Sequence, residues 1–514
     1  MKTAPAVAAV LAVWQAEPVH EAVEHVARGL GRPITLVGGA VRDALLGHRV
    51  EDWDLAVSGA REVAAQLAER TGGRLVALHE WTPCFRVVLD RRNPDYCLDV
   101  SELRGELTAD LASRDVTINA LGFDVVTHEL CDPVGGLADL ARETLRAVSL
   151  ANLQADALRC LRVYRLHSEL GFAIEPQTRE WLRQVAPLAP AMPGERLGEE
   201  MLKALNPPRA AQTIRLMDED GLLGHLIPEI EPARGVRQGG YHHLDVWGHT
   251  VEVVAQLEAV LQEPARHFPL THHEVERYLA RKHTAASLLF TALLHDLGKP
   301  ATRTEDERGW CHFYDHDRLG AEMARKIARR FRMRRRHVDL ASLLVGAHLR
   351  PLQLANLQAP QDGREPQPIT RHALVRLLRS VQPHGVGLFL LALADVRACR
   401  GPATTPGFPE QLAGVLDEML QRYLDWQRER QAPPLLTGRD LIAAGFAPGE
   451  RFGQVLAAVE EAQIEDMVST RDEALALARR LMEDDASSEA KAEMHQPSAG
   501  PAARAVEDAA DDAV

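Results

Sequence analysis

The alternation of apolar and polar positions changes character once along the chain. Over the first 150 residues, short β-branched and apolar runs are separated by helical stretches. Ile34–Gly38 (ITLVG), Trp53–Val57 (WDLAV), Phe85–Leu89 (FRVVL) and Tyr96–Val100 (YCLDV) read as strands, and Ala60–Arg70 reads as a helix. After about Leu153 the helical period takes over, and long Leu/Ala/Arg segments run towards the end. The pattern predicts an α+β fold followed by an all-α one. Clusters of Pro and Gly mark loops or linkers at Pro187–Gly194, near Gly235–Gly240, at Gln358–Pro368 and at Gly401–Pro409. From about Asp484 the chain holds Ala, Ser, Glu and Asp with hardly any large apolar side chain, which predicts disorder. The breaks outline segments 1–150, 151–232, 236–400 and 409–483, with 484–514 as a disordered end. No internal repeat is visible.

Length and charge narrow the picture. A chain of 514 residues exceeds one small core and suggests roughly three or four domains. The net charge of −14 excludes a uniformly basic nucleic-acid coat protein, though nucleic-acid binding needs only a local basic face. An aromatic content of 5% argues against reading single strands mainly by base stacking. The six cysteines form no CxxC pair, so a zinc ribbon or disulfide scaffold is disfavoured and a reducing compartment, the cytoplasm, fits. No apolar run approaches the roughly 18 residues of a membrane span. Lys2 and the Ala/Val-rich stretch to Trp14 loosely mimic a signal peptide. Pro5 and the passage into Glu17, His20 and Glu21 favour a surface helix instead.

The strongest local chemistry begins at Leu36. A strand ends at Gly38, and a helix starts near Ala40 and stops at Gly47, a natural helix terminator. Gly38 and Gly39 let backbone N–H groups approach an anion, and the helix N-terminus favours negative charge. Arg42 follows one turn on. The Lys of a Walker loop is absent, so that class of NTPase is disfavoured. Asp52 and Asp54 then stand at i and i+2 of a strand and share one face. Two carboxylates this close suit Mg²⁺ ions that align a nucleophile and neutralise a leaving pyrophosphate. Asp99, on a neighbouring strand, offers a third carboxylate.

These residues resemble a known family. LVGGAVRDALLG followed by DWD is similar to the first motif of class II tRNA nucleotidyltransferases, the superfamily of CCA-adding enzymes and bacterial poly(A) polymerases. SRDVTINAL at Ser113–Leu121 is similar to the second motif, and DPVGGLADL at Asp132–Leu140 to the third. The resemblance implies a polymerase-β-like head with a mixed sheet, followed by an all-α neck, body, HD domain and tail. It implies Mg²⁺-dependent addition of C, A or both, from CTP and ATP, to the 3′ end of tRNA. In the second motif, Arg114, Asp115 and Asn119 inherit ribose and triphosphate contacts, for which a guanidinium fork and an amide are chemically suited.

Asp156 and Arg159 stand at i and i+3 of the next helix, which continues through Arg162 and Arg165. Cytosine and adenine both present an amino donor beside a ring-nitrogen acceptor. A carboxylate and a guanidinium match that pattern, whereas guanine and uracil would leave buried groups unpaired. The resemblance implies the same use for this pair in an ED-x-x-R motif, with Arg162 as a further nucleotide contact. Ala155 replaces the motif's first acid. Gly194–Glu200 (GERLGEE) resembles a further, structural motif. The segment Gly105–Ser113 is shorter than in full CCA-adding relatives, which resembles enzymes that add only part of the end, CC-adding ones above all.

A second constellation follows. Tyr241–Thr250 (YHHLDVWGHT) is rich in ligands, Leu294–Lys299 reads LHDLGK, and His316, His348 and Asp395 stand further on. Histidines and carboxylates from several helices can close a metal site in a bundle. The pattern resembles an HD phosphohydrolase with His249, His295, Asp296 and Asp395 as ligands to a second divalent metal (Mn, Fe, Ni, Co or Mg). His316 and His348 match the extra ligands of dinuclear relatives. The basic run Arg325–Arg336 is explained equally by phosphate contact or by a solvated helix face. Leu435–Ile442 and Glu461–Gln463 resemble the tail of long nucleotidyltransferases, so the likeness extends over about residues 33–482. Three rival functions remain at this level: a poly(A) polymerase or A-adding enzyme, an HD phosphohydrolase whose N-terminal domain only binds RNA, and a tRNA chaperone without catalysis. Oligomeric state is left open by the sequence.

Overall fold

The computed structural model describes residues 3–493 except 51, 79–82, 91, 94–95, 104, 308–309, 359–364, 366, 430–433, 450 and 465–466. The disorder expected over 494–514, and most of the linker expected at 358–368, lie outside the described residues.

Seven strands build one mixed sheet: β1 (Thr35–Val37), β2 (Asp52–Val57), β3 (Arg74–Ala77), β4 (Cys84–Val88), β5 (Cys97–Glu102), β6 (Gly122–Asp124) and β7 (Leu130–Cys131). Their order is β3-β4-β5-β2-β1-β6-β7. β2 and β5 run parallel, and every other pairing is antiparallel. The four expected strands are present with their ends shifted by one or two residues. β3, β6 and β7 were not expected, being too short to show a period of their own.

The sheet has one buried face. Along β2, Trp53 and Leu55 are fully buried, while Asp52 and Asp54 point the other way. Trp53 packs edge-on against Trp14, with ring centroids 4.8 Å apart. Trp14 belongs to the helix Thr3–Ala16, where Ala6, Val10 and Trp14 recur every four residues and are fully buried. The segment read as a surface helix is therefore part of the head's core, joined by the helices His20–Leu30, Gly39–Leu46 and Ala60–Thr71. Truncating Trp14 to Ala would cost about 3–5 kcal/mol.

After Leu150 the chain is almost wholly helical. Neck and body are joined tightly. Glu258, on the body helix Val246–Gln262, accepts hydrogen bonds from Ala210 N (2.6 Å) and Ala211 N (3.3 Å), capping the neck helix Ala210–Glu219. On the neck helix Gly194–Ala204, a Cβ at Gly198 would stand 2.2 Å from the Phe331 carbonyl oxygen, so only glycine permits that approach. A hairpin, Arg303–Glu305 with Cys311–Phe313, interrupts the helices.

Contacts divide the chain into two units, one of residues 1–366 with 379–420, the other of Gln367–Leu378 with Gln421 onward. The second has its own core of Leu436, Leu441, Val455, Val459, Val468 and Ala474. Its last helix, Arg471–Glu493, continues past Asp484, where disorder was expected. An Ala/Glu/Lys-rich stretch has high intrinsic helix propensity even without large apolar groups. Among the described residues no single helix is long and apolar enough to cross a membrane.

Candidate functional site

The glycine turn is built as the sequence requires. Gly38 has φ +76°, and a Cβ there would stand 2.6 Å from Arg114 Nη1 and 3.3 Å from Asp54 Oδ2. Gly39 opens the helix Gly39–Leu46, which Gly47 ends in the left-handed region. Arg42, one turn in, is buried. Its Nε and Nη2 donate to the Asp43 carboxylate (2.8 and 2.9 Å), and its Nη1 donates to Asn119 Oδ1 (2.7 Å). The first and second motifs are therefore linked by a direct bond.

One cavity of about 110 Å³ brings together Gly38, Gly39, Asp54, Arg114, Asp115, Asn119, Arg159 and Arg162. These eight come from four stretches spanning more than a hundred residues. Asp115 Oδ1 accepts from Val116 N (2.8 Å) and Asn119 Nδ2 (3.2 Å), while Arg162 Nε lies 3.2 Å from its other oxygen. Burial opposes the charge on Asp115, but Arg162 and these donors overcome it and hold the carboxyl below its usual range. Asp54 behaves in the opposite way. Burial first, then the neighbouring Asp52 charge, pushes it up to about 7 despite Arg114. Asp52, more exposed, is also raised, by burial and then by Asp99. The third motif braces the second. Asp139 accepts from Thr117 Oγ1 (2.6 Å) and Arg146 Nε (2.8 Å), and a Cβ at Gly136 would meet the Thr117 carbonyl at 2.2 Å.

Long-range partners surround two of the expected groups. Asp99 does sit beside Asp54 in the parallel β2–β5 register, but Arg86 grips both its oxygens (2.7 and 2.6 Å). Asp99 is thus a braced carboxylate, and with Asp52 and Cys97 it forms a group able to hold a metal ion. Arg86 also reaches within 3.8 Å of Asp52. Its signal in the sequence was a lone cation within the apolar run FRVVL. Asp156 and Arg159 are neighbours, yet their side chains engage other groups. Asp156 Oδ2 accepts from Arg196 Nη2 (2.7 Å), in the motif read as merely structural. Arg159 Nη1 donates to the carbonyls of Ser113 (2.8 Å) and Asn152 (3.0 Å). The short segment before Ser113 folds as the helix Leu107–Ala112.

The carboxylates of Asp52 and Asp54 fit a divalent cation. They share a face, and Asp54 is raised by burial first and by the Asp52 charge next, both of which a cation would offset. The second constellation fits one as well. His249 Nε2 lies 2.9 Å from Asp395 Oδ1 and 3.7 Å from Asp296 Oδ2, and His295 Nε2 lies 3.2 Å from Asp296 Oδ2. His316 and His348 approach Asp296 Oδ1 at 3.6 and 3.8 Å. Each of His295, His316 and His348 points Nδ1 at a backbone carbonyl (2.6–2.8 Å), which turns Nε2 inward as a lone-pair donor. His295 Nε2, His316 Nε2 and Asp296 Oδ1 are buried without a hydrogen-bond partner, the condition an ion would resolve. His249–His295–Asp296 and Asp296–His316–His348 form two tripods sharing Asp296. Lys299, 2.6 Å from Asp296, was not singled out, although it stands one helical turn after it in HDLGK.

A mixed sheet bearing paired aspartates under a glycine turn, joined to helices that carry a His/Asp cluster, defines a nucleotidyltransferase head on an HD-bearing helical body. The known proteins agree. Residues 34–146 match the poly A polymerase head domain, 171–234 the probable RNA- and SrmB-binding site of polymerase A, and 246–378 the HD domain. An A-adding tRNA nucleotidyltransferase of Deinococcus radiodurans is 36% identical over 87% of this chain and 95% of its own length. A CC-adding tRNA nucleotidyltransferase of Thermus thermophilus is 35% identical over 86% and 92%. The Thermotoga maritima CCA-adding enzyme complexed with tRNA has the same fold, with a TM-score of 0.56 at 19% identity over 94% of this chain and 99% of that one. The chain belongs to the tRNA nucleotidyltransferase and poly(A) polymerase family. Nucleotidyltransferase and HD families generally work with divalent metals.

Proposed function

We propose that this protein adds C, A or both to the 3′ end of tRNA without a nucleic-acid template, in the cytoplasm. The observation that carries the reading is the single cavity in which the glycine turn, Asp54, the second-motif residues and the base-side arginines converge. Gly38, Gly39 and Arg42 cradle the triphosphate, Arg114 adds positive charge, and Asp115 with Asn119 contacts the ribose. Asp52 and Asp54 would hold Mg²⁺, which would supply positive charge for the departing pyrophosphate and the attacking hydroxyl. The terminal ribose hydroxyl bonds to the α-phosphorus as the α–β bridge breaks, and in-line positioning supplies most of the rate. Asp156 and Arg159 select cytosine and adenine. The compact helix Leu107–Ala112, in place of a longer flexible segment, supports addition of part of the end rather than all of it.

Sequencing the ends of tRNAs that stop at the discriminator base, at −C or at −CC, after exposure to CTP, ATP or both, tests this reading. Growth limited to at most three residues is expected. Long A tracts on unrelated RNA would instead establish a poly(A) polymerase.

A second activity has its own support in the orphaned polar atoms of the His/Asp cluster. His249, His295, Asp296 and Asp395 would hold a divalent metal, with His316 and His348 available to a second. A metal there would supply a water of lowered pKa for attack on phosphate esters. Cyclic or terminal phosphates on damaged ends suit it, and phosphate release from a 2′,3′-cyclic nucleotide is the assay.

A further inference from the structure

Three helices of the body begin at one place. Thr284–Leu294, Arg335–Val345 and Gly385–Ala398 start from His283, Arg334 and His384, and none of these side chains caps its helix. No acidic residue stands in the first turn of any of them. Thr284, Arg335 and His384 line a common cavity of about 420 Å³. A helix N-terminus carries unpaired N–H groups and roughly half a positive charge, so acids normally stand there. This cavity reverses that preference. Arg281, Arg335 and Arg336 also line it, and its one lining carboxylate, Asp339, lies 3.4 Å from Arg335.

The three guanidiniums stand on an exposed rim, and the floor is buried. Thr284 is 8% exposed, and its hydroxyl makes no hydrogen bond among the described residues. His337, 5% exposed, is hydrogen-bonded at both ring nitrogens: Arg336 Nε donates to its Nε2 (3.1 Å), and Ser287 Oγ lies 2.6 Å from its Nδ1. Burial first, then Arg336, lowers it to about 4. The cavity thus gathers three helix starts and three guanidiniums, one of them paired with Asp339, around the mostly buried Thr284. A solvated basic face has no such concave floor, so the end of the run Arg325–Arg336 is better described as one wall of a pocket. Much of the run is engaged internally: Arg325 donates to Ser342 Oγ (3.0 Å), Arg330 to Glu229 (2.6 and 2.8 Å), and Arg336 to His337 Nε2 (3.1 Å) and the Lys282 carbonyl (3.3 Å).

Guanidinium forks match phosphate oxygens, and oriented N–H groups add to them. Leu340, Leu343 and Pro383 form an apolar wall on which a sugar or base can lie. The volume falls within the range of small-ligand pockets, roughly 300–1,000 Å³. We propose that this cavity is a second anion site, separate from the nucleotidyltransferase cavity and the His/Asp cluster, that binds the phosphate of a nucleotide unit, either free or within tRNA.

The full chain with both Arg281→Glu and Arg335→Glu tests it, because both side chains are exposed and their exchange leaves the core intact. Crystals soaked in sodium tungstate, a heavy phosphate analogue, are expected to show anomalous density in the cavity of the parent and none in the variant. If the phosphate belongs to tRNA, filter binding shows about tenfold weaker affinity and a log–log salt slope reduced by about one to two. The rate of CTP or ATP incorporation at saturating tRNA stays unchanged. If it belongs to a free nucleotide, tRNA affinity is unchanged and one AMP site is lost by calorimetry. Absent density in the parent, density persisting in the variant, or equal affinities for both tRNA and AMP would overturn the proposal. Loss of incorporation in an Asp54 variant leaves it untouched, so the two readings fail separately.

Discussion

Replacing Asp54 by Asn removes the acid whose charge the metal-free head tolerates least. Its carboxyl is pushed from 3.8 to about 7, by burial first and by Asp52 next. That displacement, at about 1.4 kcal/mol per tenfold change in proton affinity, sets a ceiling near 4 kcal/mol for the strain of ionising it. Asp54 is only partly buried and its surroundings relax, so about 1–2 kcal/mol is the expected gain in the metal-free variant. The sign follows from the raised value. Below about pH 4 folded and unfolded chains both carry the proton, and parent and variant match. As pH rises from about 4 to about 7 the unfolded chain ionises first, the parent loses stability, and the gap opens; above pH 7 it is flat. Thermal unfolding in EDTA at pH 5 and pH 8, with amide exchange followed over Asp52–Val57, reads the head directly. A rise of roughly 3–8 °C in the head's transition at pH 8 is expected. Mg²⁺ restores the parent and not the variant, and the parent's apparent Mg²⁺ affinity rises with pH up to about 7 because binding displaces a proton. Incorporation of CTP or ATP falls by at least a hundredfold in the variant. Equal stability in EDTA at pH 8, or a gain independent of pH, refutes the reasoning.

Gly38→Ala places a Cβ 2.6 Å from Arg114 on a φ of +76°, so stability should drop by about 1–2 kcal/mol and incorporation by at least tenfold. Unaltered kinetics would show that the turn is not a cradle. Arg196→Ala leaves Asp156 without its 2.7 Å partner, and discrimination against UTP and GTP should weaken about tenfold with little change in melting, since Arg196 is half exposed. Competition assays with all four nucleotides decide this, and unchanged selectivity would leave Asp156 positioned by other means. Asp395→Asn withdraws a carboxylate 2.9 Å from His249, and hydrolysis of 2′,3′-cyclic nucleotides should vanish while tRNA extension stays within about twofold. Parallel loss of both activities would contradict two independent sites.

The parts legible in the sequence are those fixed by local backbone geometry. The period of two along a strand places Asp52 and Asp54 on one side and Trp53 on the other, whatever the rest of the fold does. Two glycines between strand and helix announce a sharp anion-approaching turn, and the switch from short alternating runs to a helical period marks the passage from head to neck. The buried stripe of Ala6, Val10 and Trp14 was equally written in a spacing of four, although its polar continuation suggested a surface helix.

Tertiary structure alone decided the partners. Arg86 claims Asp99 through the antiparallel β4–β5 pairing, and Arg196 claims Asp156 from forty residues away, so neither acid is as free as its spacing suggests. Burial that outweighs Arg114 at Asp54, and loses to Arg162 at Asp115, is likewise a property of packing. The meeting of three helix starts around Thr284 has no trace in any one segment. A residue's face is set by the few bonds around it, but the charge that neutralises it arrives only when distant stretches pack together.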